Sequence, residues 1–324
     1  MERDFQLKTP VVFIIFKRPH TTERVFEEIR QAKPTQLLVI ADGARNGHPD
    51  EAKKCEATRA IIEQVDWDCE VIKNYSDVNL GCAKRVSSGL NWVFSKFEEA
   101  IILEDDCVPH QTFFRFCEEL LEKYRYDNRI ASISGQNVQF GHRRTNDSYY
   151  YSRYNHCWGW ATWRRAWQHY DYQIELWKEI ESNSFLDDIL IDSQAVEYWN
   201  KRLKSVYESP AINIWDYQWT FTCWMQNSLG IISNGNLISN IGFGPDSTNF
   251  INSKNNPFEN IPTEAMEFPL KHPPFMIRDL QADDFTQKTL FRESKLQLFK
   301  DKIKKILTSR EDIDRNFKGM RLSK

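Results

Sequence analysis

From Val11 to about Gly135 the chain alternates short apolar runs with longer amphipathic segments, and this alternation restricts its fold more than any other feature. A short, continuously apolar run that forms a strand is buried on both faces. Such strands belong to parallel sheets whose crossovers are helices. Val11–Phe16 is the first run, followed by the turn Lys17-Arg18-Pro19 and a helix expected from about Thr21 to Gln31, with Thr21 or Thr22 as its cap. Gln36–Ala41 reads as the second strand, Pro49 to Val65 as a helix with proline in its first turn, and Cys69–Lys73 as the third strand. Gly81 to Phe97 is expected to be helical, Ala100–Leu103 to be the fourth strand, Thr112 to Tyr126 a helix, and Ile130–Ser134 a further strand. The expected fold class is therefore α/β, with a mostly parallel central sheet flanked by helices and a Rossmann-like first half. The second half is less regular: tryptophans, asparagines and glycines stand in loops, with short hydrophobic stretches at Trp219–Met225 and Leu229–Ser233.

Composition removes several classes of function. A net charge of -3 offers no general polycation, and no zinc-finger or helix-turn-helix pattern is present, so no nucleic-acid partner is expected. The seven cysteines are scattered without a C-x-x-C pair, which suggests neither a disulfide framework nor a zinc site and reads as a reduced, cytoplasmic set. The early run Val11–Phe16 is too short for a signal-peptide core, and no stretch approaches the ~20 apolar residues that span a bilayer. Near the end, Phe299, Ile303, Ile306 and Leu307 repeat at helical spacing among lysines from Lys295 onward. Either a helix in peripheral contact with the inner membrane or a docked terminal helix fits that pattern.

Open α/β sheets bind ligands beyond the carboxyl ends of their strands, so polar residues directly after buried strands are the first candidates. Three places qualify. Ile101-Ile102-Leu103 runs straight into Glu104-Asp105-Asp106, and three consecutive carboxylates repel one another unless something cationic relieves them. A divalent cation, Mn²⁺ or Mg²⁺, is the simplest relief, because hard cations are shared between one or two carboxylates and a substrate's phosphates. The second place is Asp42-Gly43 at the end of strand two, where Asp42 reads either as a ligand for a base or ribose or as a turn residue. The third is Asn79 to Arg85, where a helix start and a cation converge, as at phosphate sites, although Lys84 and Arg85 also fit a solvated helix face. Neither G-x-G-x-x-G after strand one nor G-x-x-x-x-G-K-[ST] occurs, which argues against a dinucleotide enzyme and a P-loop kinase. The chain is rich in aromatics, with 11 Trp, 12 Tyr and 21 Phe, many of them between Tyr149 and Trp224. Such rings pack on the C–H faces of sugars and also build ordinary cores.

The strand ending in Glu104-Asp105-Asp106 resembles the D-x-D-type element of GT-A glycosyltransferases in its E-D-D form. The order of motifs is similar to that of the Golgi N-acetylglucosaminyltransferases and of bacterial hemolytic-protein-like sugar transferases over about residues 8 to 250. Asp42 closes a strand, Leu90-Asn91-Trp92-Val93-Phe94 lies in a helix, and the E-D-D is followed by Cys157-Trp158-Gly159-Trp160-Ala161-Thr162-Trp163 and Trp215-Asp216-Tyr217-Gln218-Trp219. The resemblance implies a GT-A fold and a metal-dependent, inverting transfer of a hexosyl or N-acetylhexosaminyl group from a nucleoside-diphosphate donor, expected to be a UDP-sugar. It implies Asp106 on the metal, Asp105 on the ribose, Glu104 near the donor sugar, Asp42 at the nucleoside and Asp216 as the base. The family has two adjacent aspartates where this chain has Asp216-Tyr217.

Chemistry adds Arg85 as a cation for the donor phosphates, and Trp158 and Trp160, two residues apart, as a lining for the acceptor site. The acceptor is expected to be a carbohydrate or glycolipid of a bacterial surface polysaccharide. Asn236 to Thr248 is expected to close over donor or acceptor. Residues 1–136 then form a nucleotide-sugar half, 137–270 an acceptor and catalytic half, and 271–324 a C-terminal helical extension. Two rivals share parts of this pattern: a sugar nucleotidyltransferase and a noncatalytic carbohydrate-binding protein. The first normally carries a Gly- and Arg-rich loop after strand one, where Phe16 to His20 has one arginine and no glycine.

Overall fold

The computed structural model describes residues 5–190, 192–209, 213–243 and 256–291. The basic stretch Lys295–Leu307 and the segment from Gly244 to Thr248 lie outside the described residues. The chain begins with β1 (Val11–Ile15), α1 (Pro19–Ala32), β2 (Gln36–Ala41), α2 (Pro49–Ile61), β3 (Glu70–Tyr75), α3 (Cys82–Lys96) and β4 (Glu99–Glu104). It continues with β5 (Cys107–Pro109), α4 (Thr112–Lys123), β6 (Ile130–Ser134), β7 (Tyr149–Ser152), β8 (Trp160–Trp163) and α5 (Arg164–Trp167). Then come α6 (Trp177–Ser182), α7 (Leu186–Ile189), α8 (Ser193–Glu208), α9 (Asp216–Met225), β9 (Leu229–Ser233), β10 (Ile238–Asn240) and α10 (Leu280–Thr289).

Eight strands form one sheet in the order β3-β2-β1-β4-β8-β6-β9-β7. The first four run parallel. β8 enters antiparallel between β4 and β6, β9 lies parallel to β6, and β7 closes the far edge antiparallel to β9. Parallel pairings thus outnumber antiparallel ones, as the sequence pattern predicts. Insertion of β8 keeps β6 from joining β4 directly.

The helices follow from spacing. In α1, Thr22, Val25, Phe26 and Ile29 are buried at intervals of three and four, and Pro19 fixes the first turn. The expected Thr cap is corrected: the helix starts ahead of Thr21, and the Thr22 hydroxyl donates back to the Arg18 carbonyl at 2.8 Å. Trp219–Met225, one of the irregular hydrophobic stretches, belongs to α9, where all of Gln218 to Trp224 is buried, as in a helix enclosed on every side. Two cores lie on the two faces of the sheet. One packs α1 and α4 under Val11, Phe13, Ile15 and Leu103. The other packs α3 with Trp160, Trp167, Trp215 and Trp219 against Val12, Ile14, Ile40 and Ile102.

Candidate active site

β1 and β4 are adjacent and parallel, with Ile14 opposite Glu104, so the chain leaving both strands emerges at the same place. Arg18 therefore reaches the acidic triplet. Its guanidinium pairs with Asp106 at 2.7 Å and, more closely, with Asp105. The short β5 then meets β10 antiparallel, with Asn240 opposite Cys107, and the returning chain crosses the triplet. The Ile241 amide donates to the Asp106 carbonyl at 2.9 Å. Gly242 lies against the Asp106 carboxylate so closely that a Cβ there would overlap it. The expected closing segment thus touches the acidic triplet at Ile241 and Gly242.

Arg18 supplies the cationic relief that the triplet requires. Burial alone would lower its pKa, but Asp105 and Asp106 more than offset this and raise it. Relief is incomplete for the carboxylates. Burial, then repulsion from Asp106 and Asp105, pushes Glu104 up to about 8. Burial also raises Asp105, against the pull of Arg18, and its Oδ2 is buried without a hydrogen-bond partner. A further positive charge at this point would therefore be stabilising.

Asp216 is the first residue of α9, and its carboxylate lies within electrostatic reach of the acidic triplet. It contributes to the charge felt by Glu104, and Cys82 and Cys157 each feel both Glu104 and Asp216. The side chain is solvent-exposed, yet surrounding protein raises its pKa above the ordinary carboxylate range, partly offset by backbone N–H groups including that of Tyr217 at 3.1 Å. The preceding Trp215 is buried, stacks on Trp160 with ring centroids 5.7 Å apart, and receives the Tyr170 hydroxyl on its carbonyl at 3.2 Å.

Three expected contacts are corrected. Asp42 accepts from the Gly43 and Leu80 amides on one oxygen and from Gly81 and the Asn79 side chain on the other, at 2.9–3.0 Å, so its carboxylate is spent on shaping the loop before α3. Arg85 is buried and turned toward the ends of β2 and β3, where it donates to the Ala41 carbonyl at 3.1 Å and to Asn74. It does not join the acidic triplet. Trp160 is 0% exposed, inside a stack with Trp167, Trp215 and Trp219, and lines no surface. Trp158 is partly exposed and packs edge-on against Phe243. The two tryptophans fail to share a face because Gly159, at φ +64°, breaks the extended backbone between them.

Sequence reasoning missed Arg18. The signal was available: a basic residue three positions beyond β1 meets the residues that leave the neighbouring parallel strand. It also missed Asn213, which sits three residues before Asp216 and hydrogen-bonds to α3.

The donor set is oxygen-rich and suits a hard cation. Among the described residues no three His, Cys, Asp or Glu side chains converge as a ready-made cage. Sharing a cation between one or two carboxylates, water and substrate phosphate fits that arrangement. Among the described residues no helix is long and apolar enough to cross a membrane.

No protein-family model matches this chain. No curated protein matches it either. Solved structures with a similar fold include mouse xyloside xylosyltransferase 1 in its apo form, 12% identical over 73% of this chain and 87% of that one, with a TM-score of 0.36. The inositol-1-phosphate CTP transferase of T. maritima is 11% identical over 77% and 94%, also with a TM-score of 0.36. A UDP-glucose pyrophosphorylase complexed with UDP-glucose is 12% identical over 46% of this chain and 64% of its own length, with a TM-score of 0.27. At these similarities, function is read from the cleft's own side chains.

Proposed function

We propose that this protein is a GT-A-type glycosyltransferase that moves a hexosyl or N-acetylhexosaminyl group from a UDP-sugar to an acceptor hydroxyl with inversion. What supports this reading is one observation: a triplet of carboxylates at the carboxyl end of a central strand is under-neutralised by Arg18, and the exposed Asp216 lies near enough for Glu104 to feel its charge. Asp106, with Asp105 beside it, is the residue to hold Mn²⁺ or Mg²⁺. A bound cation would neutralise charge on the departing diphosphate. Arg18 adds its own positive charge beside that position.

Asp216 takes the proton of the acceptor hydroxyl as the oxygen attacks. Its raised pKa makes it a better base than an ordinary carboxylate. The partly exposed Trp158, beside Phe243, offers an apolar face for an acceptor sugar. We place the acceptor among carbohydrates or glycolipids of a bacterial surface, with the basic sequence from Lys295 to Leu307 favouring contact with an anionic membrane.

A panel of UDP-, GDP- and CMP-sugars, with and without Mn²⁺, tests the reading. Metal-dependent release of nucleoside diphosphate from a UDP-sugar is the expected result. Pyrophosphate chemistry identifies a nucleotidyltransferase instead, and silence across the panel identifies a binding protein.

A further inference from the structure

We propose that Asn213 is a positioning residue that ties the segment carrying Asp216 to the donor half of the cleft. The inference rests on Asp216 as the base. Four orphan N–H groups open every α-helix. In α3 no residue preceding the helix supplies a side-chain cap. The Ala83 amide instead donates to Asn213 Oδ1 at 2.8 Å, across 130 positions of sequence. The helix start that could otherwise face a phosphate is thus partly occupied from within the protein.

Three features make this contact specific. Asp42 fixes the approach, because three of its accepted hydrogen bonds hold Asn79, Leu80 and Gly81 in the turn that feeds α3. Gly81 makes room: a Cβ there would lie 2.9 Å from Asn213 Oδ1, and its φ of +80° is one that side-chain-bearing residues rarely adopt. The third feature is the bracing of the residues between Asn213 and Asp216. The Gln218 side chain donates to the Ile214 carbonyl at 2.8 Å, and Trp215 is stacked on Trp160, so displacement of Asn213 passes along a short, stiffened segment into Asp216. Asn213 and Trp215 grip that segment from different elements: the first from α3 in the donor half, the second from the aromatic core. Loss of the Asn213 grip leaves Asp216 attached to the aromatic core alone, and its distance from the donor is no longer fixed.

The test uses full-length protein and release of UDP from the panel sugar that wild type turns over. Asn213→Ala is expected to lower kcat about 10- to 100-fold with KM for the donor within about twofold of wild type, because misplacing a reacting group by ~1 Å costs on this order. Asn213→Asp, which keeps an acceptor for the Ala83 amide and adds a negative charge favoured at a helix start, is expected to restore most of the rate. Should Asn213→Ala fail to fold, Asn213→Ser carries the same expected loss in kcat. Wild-type kcat in Asn213→Ala, an effect confined to KM, or equal loss in the Ala and Asp variants overturns the proposal. If wild type is active and Asp216→Asn keeps its full rate, the reading of Asp216 as base has failed, and the positioning role with it. If wild type itself releases no nucleotide, the transfer reading has failed in the same way. An active wild type, a dead Asp216→Asn and an unimpaired Asn213→Ala isolate failure to the positioning role alone.

Discussion

The two halves of the sheet bring opposite kinds of carboxylate within electrostatic reach of one another. On the parallel side, Glu104, Asp105 and Asp106 close a buried strand and are largely shielded from water, and Arg18 pairs with Asp105 and Asp106. On the aromatic side, Asp216 opens a helix, is exposed, and accepts hydrogen bonds from backbone N–H groups including that of Tyr217. On the proposed reading, the difference teaches how one fold would supply both a charge-binding site and a base. A shielded, crowded group of carboxylates seeks cations, whereas a single exposed carboxylate on a rigid aromatic platform remains free to accept a proton.

Asp216→Asn should separate the two roles with the largest effect. Nucleotide release is expected to fall about 10²- to 10⁴-fold while UDP affinity holds, since the loss is that of general-base assistance alone. In wild type the rate should drop as pH is lowered through the pKa of Asp216, and this acidic limb should lie above the usual carboxylate range. A rate unchanged in Asp216→Asn would return the base role to the acidic triplet.

Trp160→Ala should cost about 3–5 kcal/mol of stability, measured by denaturant unfolding, because it empties a fully buried site at the centre of the tryptophan stack. Trp158→Ala should cost less stability and instead weaken acceptor use. Equal unfolding midpoints for Trp160→Ala and wild type would show that the platform is not what supports Asp216.

The smallest expected effect concerns Glu104. A carboxyl whose pKa rises to about 8 on folding binds a proton more tightly in the folded chain, so its contribution to stability is full below its unfolded pKa and is lost as pH rises toward 8. Without nucleotide or metal, Glu104→Gln should therefore melt above wild type at pH 8, with the gap closing toward pH 5. A gap that widens toward acid would reverse the sign and place Glu104 beside a stronger cation than Arg18.

The parallel half was legible because β1, β2 and β4 are largely continuous apolar runs and α1, α3 and α4 carry their apolar residues at intervals of three and four. The acidic triplet was legible for the same reason, since it ends such a run. The aromatic half was not. β8 consists of Trp160 to Trp163, whose place between β4 and β6 depends on pairings made across the sheet and not on local pattern. α9 is buried all round and has no polar stripe to announce a helix. Among site residues, the inward turn of Arg85 escaped notice because its partner Asn74 lies 11 positions away, and Asp42 stayed open between ligand and turn residue because Leu80 and Gly81, which donate to it, lie 38 and 39 positions away. Trp158 and Trp160 were parted by a single positive φ at Gly159.

Calorimetric titration of UDP into wild type and Asp106→Ala, each with and without Mn²⁺, tests the central claim most directly. The account predicts that wild type binds UDP much more tightly with Mn²⁺ than without, and that Asp106→Ala loses this difference while keeping its fold by circular dichroism. Equal UDP affinity in all four titrations, or none in any, would contradict it.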